Sequence, residues 1–186
     1  MDATFPRLVS LACHDLRTPL ATVQGFAKTL LRGDVDPQTA RWLGLIDEAA
    51  DEVVELLELL SLSARVESGR YDPVARDVDS LELAQQAVPG ASGQGAPVSV
   101  DVDAVERALA GLVRAAERHG GVEARVAVEG RRIAIEPVTA EAAPIVLGED
   151  LKELAAAVGV RVLAAIGAEV SLEGERLTVT LPQPGA

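Results

Sequence analysis

The sequence predicts an α+β protein in two parts, an antiparallel helical hairpin over residues 1–70 and a small α/β sandwich over residues 71–186. Three observations predict it. Hydrophobic residues make up 48% of the chain but aromatics only 2%, so the core is built from Leu, Val, Ile and Ala, which favours helices packed at close range. A run of apolar residues in alternating steps of three and four, from Leu43 to Ala64, marks a long helix of coiled-coil character. The last eighty or so residues read helix, two strands, helix, two strands, with alternation that buries one sheet face.

Residues 7 to 32 carry Leu8, Leu11, Leu16, Leu20, Val23, Ala27 and Leu30 at mostly helical spacing. Pro19 lies inside this run and is expected to kink the helix without ending it, because the periodicity continues beyond. Gly33 to Pro37 is a turn, with Asp36 placed to cap the next helix and Pro37 at its first position. In that helix Leu43, Ile46, Ala50, Val53, Leu57, Leu60 and Ala64 form a heptad seam, and Leu45, Val54, Leu56, Leu59 and Leu62 widen it. One antiparallel partner helix cannot cover so broad a surface, so the hairpin is expected to pair with a second copy in a dimeric four-helix bundle. The opposite face, Asp47, Glu48, Asp51, Glu52, Glu55 and Glu58, is acidic.

Ser68-Gly69-Arg70-Tyr71-Asp72-Pro73 closes the hairpin. A short helix is expected over 79 to 88, and Pro89 to Pro97 reads as a loop or linker. Beyond it come a helix over about 102 to 118, strands at 122 to 128 and 132 to 136, a helix from about 149 to 166, and a final hairpin, 168 to 173 and 176 to 181, turning at Gly174-Glu175.

Charge and cysteine content narrow the function. With 17 Lys+Arg against 29 Asp+Glu the net charge is −12, which disfavours nucleic acid and anionic membrane surfaces as partners. A single cysteine, Cys13, excludes an internal disulfide and a zinc site of paired thiolates. The apolar runs fall far below the ~20 residues of a membrane span, and Met1 to Arg7 has no signal-peptide layout. A soluble, cytoplasmic protein without membrane insertion is the expectation.

The chemistry concentrates in Cys13-His14-Asp15-Leu16-Arg17-Thr18-Pro19-Leu20. His14 lies off the apolar stripe and is expected to face outward, with Arg17, Thr18 and Ala21 on its face. An exposed imidazole beside a carboxylate is a usable nucleophile towards phosphorus. His119 reads as a capping group at its helix end and Trp42 as a packing residue near the hairpin turn. Neither histidine has metal-site spacing.

His14-Asp15-Leu16-Arg17-Thr18-Pro19-Leu20 resembles the H-box of the dimerisation and phosphoacceptor domain (HisKA-like) of bacterial sensor histidine kinases, and residues 5 to 68 resemble that domain in length, turn position and heptad helix. The resemblance implies that His14 carries a phosphoryl group on Nε2, that Asp15 orients or deprotonates the ring, and that Arg17 and Thr18 sit beside the transferring group. Thr18 also holds the position that in this family often helps water attack the phosphorylated partner. Cys13 replaces the usual Ser as a small packing residue.

Residues 79 to 186 resemble the ATP-binding domain of the same kinases only as a skeleton. Ala115 stands where the family has its magnesium-binding Asn, and Ala cannot ligate a hard cation. Glu136-Pro137-Val138-Thr139-Ala140 replaces the adenine-recognising Asp and its glycine turn, and Glu153-Leu154-Ala155-Ala156-Ala157 replaces the phosphate-binding glycines. ATP binding is therefore not expected, and no cofactor is expected on this chain. The combination resembles relay histidine phosphotransferases, which implies a homodimer that shuttles a phosphoryl group between His14 and the Asp of response-regulator receiver domains, with Mg²⁺ held by the receiver. Two other readings remain, a non-catalytic pseudokinase or scaffold and a divergent ATP-dependent kinase.

Overall fold

The computed structural model describes residues 4–183. The chain divides between Arg70 and Tyr71 into two compact units.

The first unit is the helical hairpin, α1 (Thr4–Leu31) and α2 (Pro37–Glu67). α1 runs unbroken through Pro19. Asp36 caps α2: its Oδ1 accepts the backbone N–H groups of Gln38 (3.0 Å) and Thr39 (3.1 Å), and Pro37 takes the first turn, where no N–H is required. The Thr39 hydroxyl, followed by its backbone N–H, holds the Asp36 carboxyl below its ordinary 3.8. A carboxyl whose folded value is depressed stabilises the fold fully above its unfolded value and loses that contribution as pH falls through the folded value. The hairpin is therefore expected to lose stability on acidification below 3.8, and Asp36→Ala is expected to flatten that part of the profile, as thermal melts across pH would record. Gly69, at φ +64, ends α2 in a Schellman cap: Gly69 N–H donates to Val66 O (3.0 Å) and Arg70 N–H to Arg65 O (2.9 Å).

Heptad spacing does not say which of two adjacent stripes faces the partner helix, and here the structure redistributes the expected seam. Leu43, Ala50, Leu57 and Ala64 are buried, and Val54 is half-buried. Ile46, Val53 and Leu60, expected in the same seam, remain exposed. On α1, Cys13 and Ala27 are buried, whereas Leu8, Leu11, Leu16, Val23 and Leu30 are exposed. Small side chains thus fill much of the inner seam, and larger apolar ones lie outside it. On α2 the outer stripe Trp42, Ile46, Ala49, Val53, Leu56 and Leu60 repeats in steps of four and three, a second heptad seam. Polar contacts fix the helix register: Gln24 Nε2 donates to Asp51 Oδ1, and Lys28 Nζ lies 3.3 Å from Asp47 Oδ1.

The second unit is a two-layer α/β sandwich. In chain order it contains β1 (Arg76–Asp79), α3 (Ser80–Ala87), β2 (Ser92–Gly95), β3 (Pro97–Val100), α4 (Val102–Gly120), β4 (Arg125–Gly130), β5 (Arg132–Glu136), α5 (Ala143–Val146), α6 (Leu154–Ala165), β6 (Glu169–Glu173) and β7 (Arg176–Thr180). The main sheet has the order β2-β4-β5-β7-β6, with β2 parallel to β4 and the other pairs antiparallel; β1 and β3 form a separate ribbon. Its core joins Leu83, Leu109, Leu112 and Leu163 from the helices to Ile133, Ile135, Leu177 and Val179 from the strands.

Several expectations are corrected. The stretch 89–97 is not a linker: it contains β2 and the start of β3. Gly93 makes the pairing possible, since a Cβ there would stand 2.1 Å from Val128 O. β1 was not expected, and β4 begins at Arg125 rather than at 122. The predicted helix over 149–166 starts only at Leu154; Leu151, inside the expected range, is exposed outside the helix, and the short α5 precedes it. Ser80, fully buried, ties the ribbon to the main sheet. Its hydroxyl donates to Gly130 O (2.6 Å) and accepts from Ala96 N–H (3.0 Å). Ser80→Ala is expected to cost roughly 1–3 kcal/mol in urea unfolding, because both backbone groups are left unpaired.

Candidate functional site

His14 sits midway along α1 on a turn whose inner position is taken by buried Cys13, so the ring is directed outward; its side chain is 79% exposed and that of Asp15 66%. Nδ1 of His14 lies 3.1 Å from Asp15 Oδ1. An ionised carboxylate only accepts, so this bond places the proton of the neutral ring on Nδ1 and the lone pair on Nε2. Nε2 is then the ring nitrogen that carries the lone pair. Arg17, Thr18, Ala21 and Thr22 line a shallow surface depression with His14. The structure therefore brings His14, Arg17 and Thr18 to one surface and places Asp15 at the other edge of the ring.

Pro19 has no N–H, so the Asp15 carbonyl lacks its usual helical donor one turn on. The Thr22 hydroxyl back-bonds to Thr18 O at 3.1 Å, bracketing the proline turn. Thr22 was missed in the sequence; its spacing of eight from His14, two turns of helix, is the signal that places it on this surface. An anion at Nε2 would have the Arg17 guanidinium and the Thr18 hydroxyl as candidate partners on this surface.

The second unit carries the positions that the resemblance assigned to nucleotide chemistry. Ala115 is fully buried in the core face of α4. Glu153, at the start of α6, lies 3.4 Å from both Arg118 Nη1 and His119 Nε2. His119 stands in the last turn of α4, at the helix end where it is expected, and faces Glu153; the backbone cap itself is Gly121 in the left-handed region. α4 and α6 meet backbone to backbone: a Cβ on Gly111 would stand 2.9 Å from Ala155 Cβ, and one on Gly159 3.1 Å from Ala108 Cα. Glu136, at the position that the resemblance gives to the adenine-recognising Asp, pairs with Arg176 at 3.4 Å. Trp42, expected to be a packing residue, is exposed on the hairpin. Among the described residues, no group of three or more His, Cys, Asp or Glu is arranged to hold a metal, and no helix is long and apolar enough to cross a membrane.

Residues 7–69 match the family described as "His Kinase A (phospho-acceptor) domain", HisKA. They form a HisKA-like domain. The match spans the hairpin and includes His14 and the residues around it. Among solved structures, full-length ShkA, crystallised in complex with AMPPNP, is similar at 18% identity and a TM-score of 0.66 over 96% of this chain. This chain spans only 47% of that one, about half its length. AdeS, a histidine kinase of Acinetobacter baumannii, is similar at 18% identity and a TM-score of 0.55, covering 92% of this chain and 98% of that one. At these identities the likeness is one of fold: a HisKA-like hairpin followed by an α/β unit of histidine-kinase architecture. No curated protein matches the sequence.

Proposed function

We propose that this protein is a homodimeric histidine phosphotransferase of a two-component phosphorelay, carrying a phosphoryl group on His14 between the aspartates of response-regulator receiver domains without using ATP. The observation that carries this reading is the exposed His14 ring on a HisKA-like domain, its Nδ1 engaged by Asp15 and its Nε2 facing no hydrogen-bond partner from Asp15. In the forward step the Nε2 lone pair attacks the phosphorus of an aspartyl phosphate, the P–O bond to the aspartate breaks, and the carboxylate leaves. Asp15 stabilises the positive charge that develops on the ring. Arg17 and Thr18 offer a cation and a hydroxyl to the transferring oxygens. Mg²⁺, expected on the receiver, supplies charge neutralisation at the phosphoryl group. The reverse step, on a second receiver, uses the same groups.

The reading without ATP rests on the second unit. Buried Ala115 offers no oxygen ligand, the Glu153 carboxylate stands at the N-terminus of α6, and the α4–α6 backbone contact leaves no room between the helices for a nucleotide. Titration with millimolar ATP and Mg²⁺ in a calorimeter is expected to give no binding heat; saturable binding would restore the reading as a divergent kinase. The deciding experiment for the function is phosphotransfer profiling: each receiver domain of the same genome, charged with acetyl phosphate, is mixed with this protein. Label on His14 from at least one receiver is the expected result. No label from any receiver, with kinases co-purifying, would favour the scaffold reading instead. The outer seam Trp42–Leu60 is the observation behind that second reading, since another protein's hairpin could cover it as well as a second copy could. A cytoplasmic setting follows from the proposed receivers.

A further inference from the structure

We infer that the outer edge of β6 is a docking strand for an extended, basic segment of a partner protein, which joins the five-stranded sheet as a further strand. β6 ends the sheet order, so its ladder runs to β7 alone. Gly174, at φ +61, and Glu175 join the two strands in a two-residue turn. Such a turn makes Glu173 and Arg176 a hydrogen-bonded pair and, by alternation, Ser171 with Thr178 and Glu169 with Thr180 as well. The backbone N–H and C=O groups of Val170 and Leu172 therefore point away from β7, to the outside of the sheet. The side chains alternate too. Val170 and Leu172 stand opposite fully buried Val179 and Leu177 yet are themselves only partly buried, at the rim of the core. Glu169, Ser171 and Glu173 are exposed on the opposite, open face of the sheet.

The chemistry of this edge selects its occupant. A strand laid along it meets the backbone groups of Val170 and Leu172, their half-covered side chains on the core face, and the Glu169 and Glu173 carboxylates on the other face. A segment with Lys or Arg at i and i+4 and apolar residues at i+1 and i+3 matches all three. Opposite charges facing each other across a ladder stabilise it, and like charges weaken it. A second copy of β6 is disfavoured on that ground. In the antiparallel register that engages the free groups of Val170 and Leu172 on both copies, Glu169 faces Glu173 of the second copy, twice over, and β6 carries no basic residue to offset this. The docking strand does not depend on the phosphotransfer reading, since it uses none of the residues around His14.

The probe is a blocked, fluorescent peptide of about nine residues, alternating valine and lysine, titrated into the full chain. Saturable binding is expected, together with new protection of the Val170 and Leu172 amides from hydrogen exchange. A peptide of the same composition with its lysines in one block is expected to bind more weakly and to leave those amides unprotected. Glu169→Gln combined with Glu173→Gln, both at exposed positions, is expected to weaken binding of the alternating peptide by roughly tenfold, the loss that two cross-strand charge pairs correspond to. No saturable binding at millimolar peptide overturns the inference. So does binding that leaves the two amides unprotected, that the block peptide equals, or that the paired Gln variant does not weaken. Protection of these amides that grows with protein concentration in the absence of peptide assigns the edge to a second copy and overturns it as well.

Discussion

His14→Ala is expected to abolish phosphoryl acceptance from every receiver while leaving the protein folded. The side chain is 79% exposed and hydrogen-bonds its neighbour Asp15, so its removal falls in the surface class of substitutions, within about 0.5 kcal/mol of neutral. The chemical loss is total because no other side chain on that surface carries a nitrogen lone pair at neutral pH: Arg17 is always protonated, and the Thr18 and Thr22 hydroxyls are weak nucleophiles. Acid-labile radiolabel transferred from a charged receiver, with circular dichroism on the same sample, reads both halves. Asp15→Asn is expected to slow transfer by about a hundredfold, the lower end of what a positioned acid–base partner contributes, because the pair is open to solvent. A His14→Ala protein that unfolds would show that the residue is structural. One that still takes label would move the acceptor elsewhere.

The second large effect concerns the outer seam. Val53→Asp is expected to convert the proposed homodimer to monomer. Val53 is exposed on the hairpin, centred between Ile46 and Leu60 in the second heptad stripe. A carboxylate placed there would be buried without a partner on association, which costs roughly 3–5 kcal/mol. In a two-fold bundle the substitution appears twice, so the dissociation constant is expected to rise by roughly four orders of magnitude or more. Light scattering during size exclusion gives the mass. Trp42, the chain's single tryptophan, lies at the end of the same stripe and gives an independent reading: its emission is expected to shift to the red in the variant. A wild-type protein that runs as a monomer at high concentration would remove the homodimer from the proposal.

What was legible in the sequence divides along physical lines. Both long helices and their caps could be read because their determinants are local: the three-four spacing, Asp36 before Pro37, and Gly69 after the last turn. Which stripe faces inward could not be read. Leu43, Ala50, Leu57 and Ala64 can be completed into a seam on either side, with apolar Ile46, Val53 and Leu60 or with the mixed set Asp47, Val54 and Ser61, and the choice depends on α1, which offers Gln24 and Lys28 as polar partners for α2. The stretch Ser92-Gly93-Gln94-Gly95 has turn chemistry and becomes a strand through a parallel partner, β4, more than thirty residues away. Local propensity carries no trace of such a pairing. At the candidate site, the outward direction of His14 and its shared face with Arg17 and Thr18 were legible from spacing. The bond between Nδ1 and Asp15 was not, because neighbours in sequence point to different sides of a helix unless their side chains turn towards each other.

The apolar stripe left on the outside of the hairpin has a consequence for abundance. Cys13, Ala27, Ala50 and Ala64 contribute little apolar area to the seam between α1 and α2, whereas Trp42, Ile46, Val53 and Leu60 wait on the surface. At roughly 25 cal/mol per Å² of apolar area buried, covering that surface in the proposed homodimer would add to the stabilisation that buried Leu43, Leu57 and Leu62 already give the hairpin. Association of the proposed homodimer would then be linked to the stability of the hairpin, with a midpoint that moves with protein concentration. A cell that makes few copies of this chain would then hold fewer paired hairpins, and expression level would act as a gain control on the proposed relay.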